Sequence, residues 1–226
     1  MSNALRKAGY EYEIIVVDDG SRDKTRDKAL QCAALDNHVK VVSHPRNMGK
    51  GAAIKTGLQH STGELVAFID SDLEIPPELL PPYLKALEKA DIAIASKWHP
   101  KSKVKTTFTR KILSKSFYTL TRLLTGVKVT DTQTGLKAFR REALEKIMKT
   151  QFVKRYAFDA ELLAVANLLG YKIIELPVKL QLEEQFKPGE IFRMVNDLIG
   201  IAYRLRISKY YQKILVSKGV LRSKNV

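Results

Sequence analysis

The chain has 226 residues, 45% hydrophobic and 28% charged, with a formal net charge of +15, which is an ordinary globular composition long enough for one sizeable core or two small ones. A single cysteine, Cys32, excludes an intramolecular disulfide and a cysteine zinc cluster, and it fits a reducing, cytoplasmic setting. No window approaches about 18 uninterrupted apolar residues, so no transmembrane helix is expected, and the opening MSNALRKAGYEYE has no apolar stretch of a signal peptide.

Taken in chain order, strands alternate with helices. Glu13–Val17 is predicted as a strand that runs into Asp18 and Asp19. Ser21 is placed to cap a helix over Arg22–Leu35, with Asp23 in its first turn. Val39–Ser43 follows as a strand, Gly49–His60 as a helix and Leu65–Ile69 as a third strand. Pro76 and Pro77 suit the first turn of a helix reaching Lys89. Ile92–Ser96 is a fourth strand. Thr107–Thr125 is helical, with Ile112, Phe117, Leu120, Leu123 and Leu124 at helical spacing. Gly135–Phe139, a helix after Arg140, a helix over Asp159–Leu169 and a strand over Lys172–Val178 come next, and a long amphipathic helix begins at Pro188. This alternation predicts an α/β fold, a mostly parallel sheet with helices on both faces. The expected division is a domain over 1–187 and a basic amphipathic segment over 188–226.

In such sheets ligands bind beyond the carboxyl ends of the strands. Asp18 and Asp19 close the first strand there, although an Asp-Gly turn alone explains them as well. In "DSDLE", Asp70, Asp72 and Glu74 share parity, so an extended segment puts all three on one side, with Ser71 and Leu73 on the other. Three such carboxylates repel unless a cation neutralises them, and hard oxygen ligands suit Mg²⁺ or Mn²⁺. Between the two clusters, "HPRNMGKGAAIKTG" is neither a P-loop nor a dinucleotide fingerprint. Its Gly49 and Gly51 permit close backbone approach near a helix N-terminus.

"VDDGSRDKT", "NMGKGAA", "DSDLE", "DTQTGLKAF" and "FDAELL" occur in this order. Together they resemble glycosyltransferase family two, of GT-A fold, in the branch that makes dolichyl-phosphate sugars, with more likeness to the glucose than to the mannose synthases. The resemblance spans roughly residues 10 to 200. It implies that Asp18 and Asp19 contact the base and ribose of a nucleoside-diphosphate sugar, within a donor-binding set of Ser21, Asn47, Lys50, Asp70 and Ser71. It implies that Asp70 and Asp72 hold a divalent cation on the donor diphosphate, with Glu74 completing the metal shell. Lys97, where the family usually has arginine, and Arg110 then hold the phosphate of a dolichyl or polyprenyl acceptor. Gln133, Asp159 and Glu161 line the region where sugar and acceptor meet. The family normally opens with one more strand, in mid-sheet, and residues 1 to 10 resemble the end of the helix that follows it.

A phosphate acceptor is already anionic near neutral pH, its second pKa lying at about 6, and needs no general base. A sugar hydroxyl acceptor would require Asp159 or Glu161 as base. A Mg²⁺-binding receiver domain and a nucleotidyltransferase share the paired acids and the parallel sheet, and remain alternatives.

The charge fits nucleic acid, anionic lipid, phosphorylated small molecules or a solvated lysine-rich surface. Aromatic residues do not cluster with the basic ones in a stacking motif, so nucleic acid is not expected. Ile191, Met194, Val195, Leu198, Ile201, Ala202 and Leu205 form an apolar stripe, with Arg193, Arg204, Arg206, Lys209 and Lys213 around or after it. Ile191–Leu198 is expected to pack on the sheet. Tyr203–Leu215, with Tyr203, Tyr210 and Tyr211, is expected at a membrane surface. The implied protein sits peripherally on the cytoplasmic face of a membrane, by itself or with a membrane-anchoring subunit.

Overall fold

A computed structural model gives the fold and describes residues 1–72, 74–153, 157–181 and 188–222. The first helix, α1 (Ser2–Lys7), precedes β1 (Ile14–Asp18), α2 (Thr25–Leu35), β2 (Val39–Ser43), α3 (Lys50–His60) and β3 (Leu65–Ile69). A 3-10 turn (Pro77–Leu79) leads into α4 (Leu80–Ala86), then β4 (Ile92–Ser96), β5 (Lys103–Lys105) and α5 (Phe108–Thr125). The remainder is β6 (Leu136–Arg140), α6 (Arg141–Met148), α7 (Phe158–Leu168), β7 (Ile173–Pro177), β8 (Lys179–Gln181), α8 (Pro188–Ala202), a π-helical turn (Tyr203–Ile207) and α9 (Tyr210–Ser217).

The predicted α/β alternation stands, with three additions. Strand β6 runs antiparallel between β3 and β4, in a sheet of order β3-β6-β4-β7 whose β4–β7 ladder is parallel. Strands β1 and β2 form a separate parallel pair, and β5 and β8 another. Among the described residues β1 and β3 are therefore each hydrogen-bonded along one edge only. Their apolar side chains stay half-buried, or exposed at Leu65, whereas β4 is wholly buried.

Period-two alternation explains that burial. Ile92, Ile94 and Phe139 point into a core shared with α6, α7, α8 and α9. Ala93, Ala95, Leu136 and Ala138 point the other way, into a core closed by α1 and α4. The small residues on this second face let α4 approach closely. Helix α7 is buried along Phe158–Ala166, its two acidic residues included.

Ser21 does not cap a helix. Its amide donates to Asp18 Oδ1 at 3.1 Å, and α2 starts later, at Thr25. The long C-terminal helix is broken. After the π-helical turn, Lys209 adopts φ 49° and interrupts the helix, and Tyr211 and Leu215 beyond it are buried. Leu198, Ile201 and Tyr211 belong to the same apolar cluster as α7. The segment from 188 is thus an integral layer rather than an appendage. Of the expected boundary, residues 182–187 lie outside the described residues, as does 223–226 of the tail.

Glu13, just before β1, ties the β1–β2 pair to the turn that leads into β3. Its Oε1 accepts from the amides of Thr62 (2.5 Å) and Gly63 (3.2 Å) and from the Thr62 hydroxyl, and its Oε2 pairs with Lys40 at 3.0 Å. Burial by itself would raise this carboxyl, but those donors outweigh it and hold it at about 2. A carboxyl depressed on folding contributes stability that is complete above its unfolded pKa and is lost as pH falls through its folded one. Glu13→Gln should therefore melt below the wild type near neutral pH. The gap between the two melting temperatures should close as pH falls from about 4.5 toward 2, and a pH-independent gap would refute this role.

Candidate active site

The carboxyl ends of β1 and β3 and the first turns of α3 and α7 converge on one cluster. Asp18 and Asp19 face different partners, which removes their mutual repulsion as a problem. Asp18 is buried and bound by Ser21, whose hydroxyl and amide hold its carboxyl below the usual range. Both Asp19 oxygens are taken: Oδ1 by His44 Nδ1 (2.7 Å) and the Met48 amide (2.8 Å), Oδ2 by the Gly49 amide (2.7 Å). Burial would raise Asp19, but these three donors outweigh it and keep it low. Facing an ionised carboxylate, His44 Nδ1 must carry a proton. When the ring is neutral, its Nε2 accepts from the Thr56 hydroxyl at 2.9 Å. Asp19 thus fastens the end of β1 to the start of α3. The two loops press together at Gly20, where a Cβ would sit 2.5 Å from the Arg46 backbone and where φ is +72°. Ser21 and Asn47 lie exposed on this rim. His44 was not singled out from sequence, because a lone histidine after a strand carries no pattern.

The start of α3 aims Lys50 at two carboxylates. Its Nζ lies 2.9 Å from Asp70 Oδ1, 3.3 Å from Asp70 Oδ2 and 3.1 Å from Asp159 Oδ2. Asp159 Oδ1 in turn takes Lys137 Nζ at 2.7 Å, and that ammonium also donates to the Thr134 carbonyl at 2.8 Å. Both ammoniums stand 5.6 Å from the centre of the Phe68 ring. Asp70, Lys50, Asp159 and Lys137 form a chain of alternating charge. Burial works against Lys50, but Asp159 and Asp70 outweigh it and raise its ammonium above the usual lysine range. Burial likewise opposes an ionised Asp159, and Lys137 and Lys50 overcome it, holding that carboxyl low. Lys137 itself is pulled down by burial and by Lys50, while Asp159 draws it back.

Strand β3 stops at Ile69, and Ser71 and Asp72 turn. The parity expected of an extended DSDLE is therefore lost. Asp72 is exposed and its Oδ1 accepts from the Glu74 amide at 3.0 Å, Ser71 is exposed, and Leu73 lies outside the described residues. Among the described residues no three carboxylate, histidine or cysteine side chains are gathered as a metal cage. Asp70 still fits a divalent ion by its chemistry. Its side chain is 38% exposed, offers two hard oxygens and already takes a cation, Lys50. Gly135 makes room for it, since a Cβ there would lie 2.1 Å from Asp70 Oδ2.

Lys97 is not a bare cation awaiting an acceptor. Its Nζ pairs with Asp131 Oδ1 at 3.0 Å and its amide donates to Oδ2 at 2.9 Å. Buried Asp131 also takes the amides of Gln133 and Thr134 and the Thr134 hydroxyl, so it shapes the turn that delivers Gly135 to Asp70. Gln133 sits half-buried in that turn. Asp131 and Lys137 were missed from sequence, although both stand in "DTQTGLKAF". Arg110 lies half-buried in the first turn of α5, placed by the Thr107 cap.

Glu161 parts from its neighbour. Two residues beyond Asp159 it is fully buried, and accepts from Gln151, from the amides of Phe152 (3.0 Å) and Val153 (2.8 Å) and from the Tyr211 hydroxyl (2.5 Å). Burial raises its carboxyl despite these donors. It joins α7 to α9, and both its oxygens are spent on that junction.

The model of glycosyl transferase family 2 matches residues 2–148. Dolichyl-phosphate beta-glucosyltransferase ALG5A of Trichomonas vaginalis is 39% identical over 218 residues, covering 92% of this chain and 67% of that protein. The Homo sapiens dolichyl-phosphate beta-glucosyltransferase is 35% identical over 184 residues, covering 76% and 57%. The chain thus spans two thirds or less of these relatives' length. Among solved structures, glucosyl-3-phosphoglycerate synthase from Mycobacterium tuberculosis with Mn²⁺, uridine diphosphate and glucosyl-3-phosphoglycerate superposes with a TM-score of 0.62. The two are 22% identical, over 84% of this chain and 67% of that one, a likeness of fold.

The charge chain gives a stability test. Lys137→Met removes one partner of a fully buried pair and leaves Asp159 with Lys50 alone, and the expected loss is about 3–5 kcal/mol in denaturant unfolding. Lys97→Met, nearer the surface, should lose less.

Proposed function

The chain belongs to glycosyl transferase family 2, and on that premise we propose that it moves glucose from a uridine-diphosphate sugar to dolichyl or polyprenyl phosphate. A phosphate oxygen of the acceptor attacks the anomeric carbon, the bond from that carbon to the diphosphate breaks, and a nucleoside diphosphate leaves. One in-line displacement inverts the anomeric centre.

What supports this reading, beyond the relatives' names, is the state of the candidate bases. Asp159 is held ionised by two lysines and is a poor acceptor for a hydroxyl proton. Glu161 is sequestered beneath Tyr211, and His44 is bound on both ring nitrogens. An acceptor that arrives already anionic has no need of them. A sugar hydroxyl acceptor would.

The donor side is assigned to the rim of Asp18, Asp19, Ser21 and Asn47, with Lys50 and Ser71 toward the diphosphate. Asp70 and Asp72 would hold Mg²⁺ or Mn²⁺, with Glu74 beside them. Such an ion, when bound, stabilises charge on the departing diphosphate. Asp159 and Lys137 fix Lys50. Lys97 and Asp131 position Gln133 against the sugar, and Arg110 is assigned to the acceptor phosphate, as in the family.

The membrane-facing surface is reassigned. Tyr211 and Leu215 are buried, and Arg204 is engaged by Tyr211 and by the Phe152 ring at 4.3 Å. The exposed apolar residues are instead Phe108, Ile112, Leu113 and Leu123 on α5, and Phe192, Ile199, Tyr203 and Ile207 on α8 and its π-helical turn. These helices touch, and Lys111, Lys115, Arg122, Arg193 and Arg206 flank the apolar residues. No helix of the described residues is long and apolar enough to cross a membrane. We assign this surface to peripheral contact with the cytoplasmic leaflet, where each basic residue contributes about 1 kcal/mol toward anionic lipid.

The enzymatic test is formation of a glucosyl-phospho-lipid from UDP-glucose, Mn²⁺ and polyprenyl phosphate, with GDP-mannose as competitor. Asp72→Asn should lower turnover by ~10²–10³ without unfolding the protein. Transfer to a soluble sugar hydroxyl, with none to the lipid, would overturn the reading. For the membrane, the protein should sediment with phosphatidylserine vesicles at low salt and be released at high salt. Phe192→Ser with Ile207→Ser should weaken sedimentation more than Lys213→Ser, a change at an exposed position of α9, does.

A further inference from the structure

We propose that Lys50 is a resident counter-cation for Asp70 that a divalent ion has to displace, so that the ion binds well only together with a donor diphosphate. This rests on the reading of Asp70 as a metal ligand.

The geometry carries it. Lys50 Nζ is within hydrogen-bond reach of both Asp70 oxygens. A divalent ion reaches a carboxylate oxygen at about 2.0–2.6 Å, so it competes for the same lone pairs and repels the ammonium across a few ångströms. Asp70 lies against the Gly135 backbone, which leaves no room there for a side chain. Its amide is also anchored on the Gly135 carbonyl at 3.1 Å. Lys50 has somewhere to go. Asp159 Oδ2 stands 3.1 Å from its Nζ, so release from Asp70 needs a small shift rather than an opened helix.

Charge decides the order of events. Two carboxylates and two ammoniums make the cluster of Asp70, Asp159, Lys50 and Lys137 neutral. A bare divalent ion at Asp70 adds positive charge beside two lysines, which the exposed Asp72 offsets only in part. An ion that arrives with a diphosphate adds little or none, and the displaced ammonium then faces phosphate oxygens. Lys50 thereby couples metal binding to nucleotide binding, and by linkage nucleotide binding to metal binding.

The test is Mn²⁺ binding, followed by the electron paramagnetic resonance of the free ion, with and without UDP. In the wild type, UDP should tighten Mn²⁺ binding by about tenfold or more. Lys50→Met should bind Mn²⁺ alone about tenfold more tightly than the wild type, and UDP should then add less. Lys50→Gln, which keeps a hydrogen bond to Asp70, gives the same comparison if the methionine variant does not fold. Equal Mn²⁺ affinity of the wild type with and without UDP overturns the proposal, whatever the variants do. So does unchanged or weaker Mn²⁺ binding in both Lys50 variants while Asp70→Asn abolishes it, an outcome that leaves the metal reading intact. Undiminished Mn²⁺ binding in Asp70→Asn overturns the metal reading and this proposal together.

Discussion

The arrangement depends on one physical constraint, the neutralisation of charge inside a packed site. Lys137 is among the largest fully buried side chains of the protein, and an isolated ammonium there would be prohibitive. Asp159 makes it tolerable, Lys50 balances the second oxygen of Asp159, and Asp70 balances Lys50. The chain of charge runs from the middle of β6, through the first turn of α7 and the first turn of α3, to the end of β3. Four elements distant in sequence are held in one register by it. Removing Lys137 or Asp159 leaves the other in an environment that does not solvate it, whereas Asp70, at the exposed end, is partly solvated.

Helix α7 is the pivot. Its first turn carries two carboxylates two residues apart, a placement that the positive end of the helix favours. On a helix that separation turns them to different sides. Asp159 meets the lysines of the site, and Glu161 meets Tyr211 and the 151–153 loop. The same turn is crossed by α3, where Gly51 leaves no space for a side chain: a Cβ would lie 2.5 Å from the Phe158 ring. The site is therefore built against the core rather than on mobile loops. Helix α9, which starts after the break at Lys209, packs Tyr211 into the apolar cluster of α7 and onto Glu161.

The carboxylates at the end of β1 obey the same logic of separate partners. Asp18 holds its own turn, and Asp19 holds the loop that opens α3 and thereby aims Lys50. A pair of acids that looks repulsive in the sequence is two local latches in the structure. The loss of a common face in DSDLE is the converse case. A strand that ends at Ile69 cannot keep period-two parity, and only one of the three carboxylates is drawn into the charge chain.

The α/β class, most element boundaries, the family and the region of the site follow from the sequence alone. β-branched runs, helical spacing and glycine punctuation are local signals, and the five motifs are contiguous strings. Asp70, Lys50 and Asp159 were among the residues named that way. Tertiary structure alone decided the rest, because pairing across a fold leaves no local trace. Nothing in "DTQTGLKAF" distinguishes Lys137, which points into the core under Asp159, from Lys97, which was expected to hold an acceptor phosphate and is bound to Asp131. Nothing in a stretch of alternating basic and aromatic residues foretells that Tyr211 returns to Glu161 while Tyr203 stays outside. The antiparallel insertion of β6 between β3 and β4 was equally hidden, since a buried strand reads the same in either direction.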